Sequence, residues 1–381
     1  MMRLNAYVCA TCGQTYPLDS RDWRCACGGL FDLQSWPDLN VESLDTTQVG
    51  LWRYRNLLPL DLAWTPVTLG EGNTPLVPVD WDGLRLLVKL ESLAPTGSFK
   101  DRGAAVLVTA LRGLGVQRVV EDSSGNAGAS LAAYAARASI GCEVCVPHTA
   151  AGPKIAQMTT SGAEVIQIKG RREYAALAAW AAAAHGAYYA SHVYSPYFLA
   201  GTETMAYELW EQLDRRPPSA VLLPLGNGSL LLGVYHGFQR LHDAGLIARL
   251  PRLYAVQAEA CAPIYQAFVE GRDSIEPCES APTSAASIAI MYPARGAQVL
   301  AAVRATGGAI VSAGEEEILA ARNQLARRGF YVEEAAAAPL AALPELAGSL
   351  SNSPEEPIIV PLTGHGLKTS PGQGTNLGFD T

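Results

Sequence analysis

At 381 residues the chain is too long for one ordinary hydrophobic core, so two domains are the default expectation. Its 49% hydrophobic and 17% charged residues describe a globular protein and exclude wholesale disorder. A net charge of -8 and a pI near 5.3 argue against a general nucleic-acid or anionic-membrane binder, and no apolar run reaches the ~18 residues of a membrane span.

The opening MMRLNAYVCA lacks the apolar stretch of a secretion signal. A cytoplasmic protein is therefore expected, with its eight cysteines reduced or metal-bound rather than disulfide-paired. Two close cysteine pairs come first, Cys9-Ala-Thr-Cys12 and Cys25-Ala-Cys27-Gly-Gly. Such pairs across a short loop can present four thiolates tetrahedrally to zinc, in a closed structural site. The second pair is spaced C-x-C rather than C-x-x-C, and a ribbon without metal is the plainer alternative. Residues 1–35 are thus expected to form a small zinc-ribbon-like module.

The stretch from Trp36 to Pro59, rich in Trp, Pro and Asn, reads as a linker. From Leu84 onward strand-like and helix-like runs alternate. Val116–Glu121, Cys142–Pro147, Ala163–Ile168, Ala220–Leu225, Arg252–Gln257 and Pro357–Thr363 read as buried strands. Ala127–Ala138, Arg171–His185 and Glu203–Leu213 read as helices between them. The alternation predicts an α/β fold with mainly parallel sheets. The runs Ala181–Ala184 and Ala335–Ala338 are helix formers rather than low-complexity signals. Cys142 and Cys145 are expected in the core, while Cys261 and Cys278 stand isolated with no role indicated. The Gly/Ser/Pro-rich tail Thr369–Thr381 is expected to fray.

Four loops at expected strand ends carry chemistry-bearing residues. In APTGSFKDRGAA (Ala94–Ala105), Lys100 follows a Thr-Gly-Ser turn and leads into an apolar run. Partial desolvation there lowers its pKa and frees the amine for Schiff-base chemistry. The plainer reading is a lysine at a helix start, where the macrodipole disfavours its charge. In EDSSGNAGAS (Glu121–Ser130), a Ser-Ser-Gly-Asn turn at a helix start offers backbone N–H groups to an anion, and Asn126 adds a neutral hydrogen-bonding side chain; an ordinary N-cap is the alternative. In PLGNGSLLLG (Pro224–Gly233), successive backbone N–H groups can cradle a phosphate, without the Gly-Lys-Ser/Thr of a nucleotide P-loop or the GxGxxG of a dinucleotide site. In PLTGHGLK (Pro361–Lys368), the Thr363 hydroxyl ends a strand where it can meet a heteroatom in a central cleft, and His365 reads as a turn histidine.

In this order, together with YRNLLP (Tyr54–Pro59) and EGNTPL (Glu71–Leu76), these segments resemble threonine synthase and its relatives in the pyridoxal-phosphate (PLP) fold type II group, from about Leu51 to Lys368. The resemblance implies two α/β domains, each a parallel sheet within three layers, with the cofactor between them. The larger would comprise 36–105 and 206–368, the smaller and mobile one 106–205, with 369–381 a flexible tail. It implies that Lys100 holds PLP covalently and serves as the acid/base at the substrate Cα, with Phe99 beside it. Asn126 would meet the ring hydroxyl, Gly226, Asn227, Gly228, Ser229 and Leu230 the cofactor phosphate, and Thr363 the pyridine nitrogen. Ser123, Ser124 and Gly125 would grip the substrate carboxylate; read from its own segment GPKIAQ, Lys154 is either a further substrate contact, to an anion, or a simple helix-start lysine. A homodimer acting on a small amino acid is implied, by default converting O-phospho-L-homoserine and water to L-threonine and phosphate.

The match departs from that family where the substrate phosphate is recognised. Ala127 stands where a hydroxyl residue commonly follows the Ser-x-Gly-Asn turn. The segment N-S-x-N-P-x-R-x-x-G-x-K-T reads SHVYSPYFLAGTET (Ser191–Thr204), with Phe198 at the arginine position and Glu203 at the lysine position. A dianionic group calls for a bidentate arginine, and a glutamate facing it would repel it. His192, Tyr194 and Tyr197 are candidates to line a rebuilt pocket, with ordinary packing the alternative. The departures admit a serine/threonine dehydratase or a β-replacement enzyme using phosphoserine or another activated serine. A non-catalytic alternative is a zinc-ribbon regulatory protein on a PLP scaffold.

Overall fold

Runs of Val, Leu and Ile in the sequence become strands of two separate parallel sheets, each flanked by helices. The computed structural model describes residues 6–20, 22–148, 150, 152–170, 173–350, 353 and 356–369; the tail from 370 onward and the first two residues of the predicted helix at 171–185 lie outside the described residues.

The N-terminal module is a three-stranded antiparallel sheet, β1 (Tyr7–Cys9), β2 (Thr15–Tyr16) and β3 (Phe31–Leu33), with β1 in the middle. A hairpin follows, β4 (Leu76–Trp81) and β5 (Leu84–Lys89). Its turn residues Asp82 (φ 48°) and Gly83 (φ 86°) are both left-handed, which suits the right-handed twist of paired strands. Helix α1 (Lys100–Gly113) leads to β6 (Arg118–Glu121), α2 (Asn126–Ala138), β7 (Gly141–Pro147), α3 (Pro153–Thr160), β8 (Glu164–Ile168), α4 (Glu173–Ala184) and β9 (Tyr188–Tyr189). Then come α5 (Pro196–Gln212), β10 (Ala220–Pro224), α6 (Ser229–Asp243), β11 (Arg252–Ala258), β12 (Ile310–Ala313) and β13 (Ile358–Pro361).

The four-stranded sheet has the order β8-β7-β6-β9, all parallel. The six-stranded sheet has the order β12-β11-β10-β13-β5-β4, parallel except for the edge hairpin strand β4. Strand alternation builds the layers. In the larger sheet Val221 and Leu223 pack against one cluster, with Leu230 and Leu231 of α6 and Met205 and Leu209 of α5. Ala220 and Leu222 face the opposite cluster, with Ile318, Leu325 and Ala335–Ala338. In the smaller sheet Val119 and Val144 face α1 and α2, while Val120 and Cys145 face Ala175 and Ala179 of α4.

Each predicted strand is present, displaced by at most two residues at an end. Strands β4, β5, β9 and β12 were not legible as such, and α5 begins seven residues before the predicted Glu203. The supposed linker is packed structure in part: Leu51–Leu57 is a 3-10 helix that buries Leu51, Trp52, Tyr54 and Leu57.

Helices α1 and α5 cross at two glycines. A Cβ at Gly103 would lie 2.5 Å from the Phe198 ring, and one at Gly201 would fall inside the Arg102 carbonyl. Beside this crossing lies a buried ion network. Arg102 Nη2 is 2.7 Å from Glu91 and 3.0 Å from Glu208, and Glu208 also pairs with Lys89. Those cations hold the Glu208 carboxyl down at about 2 against the cost of burial. Arg295, also buried, ties the N-terminal module in: it donates to the carbonyls of Phe31 (3.1 Å), Val193 (2.6 Å) and Tyr194 (3.2 Å) and pairs with Asp32. Among the described residues no helix is long and apolar enough to cross a membrane.

Candidate active site

The N-termini of α1, α2 and α6 and the end of β13 converge on a cavity of about 400 Å³. Ligands of parallel sheets collect at such strand ends, where helix N-termini offer unpaired N–H groups.

Lys100 opens α1 because the preceding loop is clamped from three sides. The buried Asp101 carboxylate accepts from the Thr96 backbone (2.7 Å), the Thr96 hydroxyl (2.5 Å) and the Ser130 hydroxyl (2.6 Å). Burial raises its carboxyl to about 6, while these donors hold it from going further. The Phe99 N–H donates to the Thr363 carbonyl (3.1 Å), and the His365 N–H to the Gly97 carbonyl (2.9 Å). Gly97 is left-handed (φ 84°), and a Cβ there would press on the Lys368 side chain. The Lys100 amine ends 3.5 Å from the Ser229 hydroxyl and 4.8 Å and 5.4 Å from the ring centres of Phe99 and Phe198. Burial brings its pKa down to about 7, a fall that the Glu121 carboxylate partly opposes.

Facing it, Gly226 to Leu230 round the start of α6. Gly226 packs on the Ser287 and Ile288 backbone, and Gly228 is left-handed (φ 84°) with a Cβ position filled by Val299. Gly228 must be glycine, Gly226 leaves little room for a side chain, and together they expose the first N–H groups of α6 to the cavity.

The α2 turn supplies Ser123, Ser124, Gly125 and Asn126 to the same cavity. Ser123 Oγ accepts from the Gly125 N–H at 3.3 Å. Asn126 Nδ2 donates to Glu333 Oε2 at 2.5 Å, and Asn126 Oδ1, buried, has no partner among the described residues. Glu333 Oε1 lies 2.5 Å from Lys154 Nζ. His192 Nδ1 lies 2.7 Å from Glu121 Oε1 at the end of β6, and its ring meets the edge of Phe198. Thr363 lines the wall just past β13.

Apart from Tyr194 and Tyr197, every residue expected at the cofactor or substrate site lines one cavity. Glu333, Lys368 and the segment Ala286–Ile288 also line it and were missed. Lys368 lay within PLTGHGLK and was readable there; Glu333 lay in no motif. Burial brings the Lys368 pKa down to about 8, and its amine donates to Gln157 Oε1 at 2.6 Å.

Several expectations are corrected. Tyr197 is fully buried with its ring edge-on to Tyr7, and Tyr194 packs on Trp23, so neither lines the cavity. Phe198 fills the gap left by Gly103, and Glu203 turns away to pair with Arg240 at 2.6 Å. Helix α5 points these positions into the core. Cys261 and Cys278 are not isolated: their sulfurs lie 3.6 Å apart. Cys142 and Cys145 are buried as expected.

In the N-terminal module the sulfurs of Cys9, Cys12, Cys25 and Cys27 all lie within 4.8 Å of one another. A tetrahedral zinc with bonds of ~2.3 Å separates its sulfurs by ~3.8 Å. The pairs Cys9–Cys27 and Cys12–Cys25, each at 3.6 Å, fit that spacing. The Thr11 and Gly29 N–H groups donate to Cys9 and Cys27 at 3.4 Å each, as outer-shell donors to thiolates do.

A desolvated amine facing an N–H cradle across a cleft between two parallel sheets defines a class of enzyme. Residues 67–364 match the pyridoxal-phosphate dependent enzymes, and the chain belongs to that family. Within it the chain is 36% identical to the threonine synthase of Methanocaldococcus jannaschii over 372 residues, covering 94% of this chain and 92% of that one. It is 37% identical to the threonine synthase of Mycobacterium tuberculosis over 322 residues, covering 83% and 87%. Among solved structures, a threonine deaminase from T.th. superposes with a TM-score of 0.66 at 28% identity, over 78% of this chain and 94% of that one. A maize serine racemase shares the fold, with a TM-score of 0.65 at 23% identity over 78% and 89%. The chain is thus a PLP-dependent enzyme of threonine synthase type, not a non-catalytic scaffold.

The cavity fits the cofactor on its own features. The amine at Lys100 is part-neutral near pH 7, the cradle at α6 is free of carboxylate, and Asn126 keeps an unmatched polar atom.

Proposed function

We propose that this chain acts on a small L-amino acid by elimination and replacement, with O-phospho-L-homoserine and water going to L-threonine and phosphate. The observation that carries the reading is the Lys100 amine, desolvated and 3.5 Å from Ser229 at the cradle, in a chain whose relatives bear the name threonine synthase. When bound, PLP serves as an electron sink for negative charge developing at the substrate Cα.

The residues would divide the work as follows. Lys100 holds the cofactor covalently, then takes and returns the Cα proton at Nζ. Backbone N–H groups from Gly226 to Leu230, with the Ser229 hydroxyl, bind the cofactor phosphate. Asn126 meets the ring hydroxyl, and the neutral Thr363 hydroxyl meets the pyridine nitrogen, which then has no carboxylate to keep it protonated. Ser123, Ser124 and Gly125 hold the substrate carboxylate at the α2 N-terminus. Lys154 and His192 face the departing group. A Cβ proton is lost and the bond from Cγ to the phosphate oxygen breaks, freeing inorganic phosphate; Cγ gains a proton, water gives its oxygen to Cβ and releases a proton, and the proton taken from Cα is returned there. Residues 106–205 form the smaller domain, which closes on 36–105 and 206–368 to exclude water. We further propose zinc on the four N-terminal cysteines, a homodimer, and a cytoplasmic setting.

A second reading is deamination of serine or threonine. Phe198 in place of arginine favours it, as does the likeness to a threonine deaminase. Incubation with O-phospho-L-homoserine, L-threonine and L-serine separates the two. Phosphate and threonine released in step support the first; ammonia and a 2-oxo acid with no phosphate release would replace it with the second.

A further inference from the structure

Among the described residues that line the cavity Glu333 is the one carboxylate, and it is 3% exposed. Its two oxygens serve different partners. Oε2 accepts from Asn126 Nδ2 at 2.5 Å, and Oε1 lies 2.5 Å from Lys154 Nζ. Its backbone is fixed by an N–H bond of 3.0 Å to the Gly364 carbonyl, next to the β-bridge between Val332 and His365. Any side chain at Gly364 would occupy the space of Glu333 Oε2. The loop after β13 is thus shaped to admit this carboxylate.

We infer that Glu333 is a positioning residue that links the substrate-facing Lys154 to the cofactor-facing Asn126. The inference rests on the functional reading above. Only the amide nitrogen can donate to a carboxylate, so Glu333 decides which end of Asn126 points where. The Asn126 Oδ1 is left unmatched and a second Nδ2 proton remains to be offered. On the other side Glu333 neutralises Lys154. An incoming dianion competes for that ammonium. As Lys154 turns to it, Glu333 loses its counter-charge and its hydrogen bond to Asn126 tightens. Charge arriving at the substrate end is thereby felt at the cofactor ring, across a cavity whose described lining holds no arginine.

The test uses the full chain loaded with PLP and inorganic phosphate as the probe. Phosphate should shift the visible band of the wild type, and Lys154→Ala should abolish the shift. Glu333→Gln keeps an acceptor for Asn126 but no charge, so PLP affinity should hold while the shift is lost. Glu333→Ala should lose both, with PLP affinity falling about tenfold, the effect of one charge-assisted hydrogen bond. A wild-type band that ignores phosphate, or a Glu333→Gln protein with the full shift, overturns the inference and leaves the functional reading standing. If the wild type forms no cofactor band at all, the functional reading falls and this inference with it. Glu333→Gln decides the matter even if Glu333→Ala does not fold.

Discussion

Lys100 Nζ lies 3.5 Å from Ser229 Oγ, so the first residues of α1 and α6 meet across the cleft although 129 positions separate them. Two helix N-termini aimed at one point make a strongly positive corner, which disfavours an ammonium and favours a phosphate.

The first prediction concerns pH. A neutral amine is the nucleophile, and the Lys100 pKa is brought down to about 7 by burial. The rate at which cofactor-free protein takes up PLP should therefore rise as pH climbs through 7 and level off above it. Stopped-flow absorbance measures it. A rate still climbing steeply between pH 8 and 10, at the ordinary lysine value of ~10.4, would contradict the desolvated setting. Lys100→Ala should take up no borohydride-reducible cofactor.

A second prediction addresses the glycine crossing. Gly201→Ala places a methyl group inside the Arg102 carbonyl. Overpacking of this kind costs about 1–3 kcal/mol. Urea denaturation should show the midpoint falling, whereas Gly245→Ala, at a site with nothing within 4 Å, should fall only by the strain of its left-handed backbone.

The buried ion network supplies a third. Glu208→Ala leaves Arg102 and Lys89 without their shared carboxylate. Stranding buried cations costs about 3–5 kcal/mol, so the loss in denaturant unfolding should exceed that of Arg53→Ala, whose partner Glu211 is part-exposed.

The fourth concerns the cysteine cluster. Purified protein should carry about one zinc per chain by elemental analysis. Gly29→Ala, which removes no ligand, should strip the metal as Cys27→Ser does, because its Cβ would sit 2.5 Å from Cys9 Sγ. Full zinc content in Gly29→Ala would show that the cluster is not closed as described.

Much of this site was readable because each motif is local: a strand end, a glycine turn and a helix start within ten residues. The Asp82-Gly83 hairpin carried the same kind of signal and could have been read from its turn residues. Strand β9 could not, since two tyrosines hold no period. Glu333 was invisible for a different reason. It meets Asn126 across 207 positions, and nothing in VEEAAAA announces that partnership. Tyr197 misled because loop-like sequence before α5 hid a buried first turn. Periodicity tells which face is covered, but not what covers it.

The clamp at Arg295 bears on how this protein can be cut down. The family match begins at residue 67, which invites trimming everything before it. Yet the guanidinium takes the Phe31 carbonyl and Asp32 from that discarded part. A shortened version would strand a positive charge in the interior and loosen its grip on Val193 and Tyr194, next door to His192. The small ribbon is a keystone, and pulling it out should disturb a wall of the catalytic chamber it never touches.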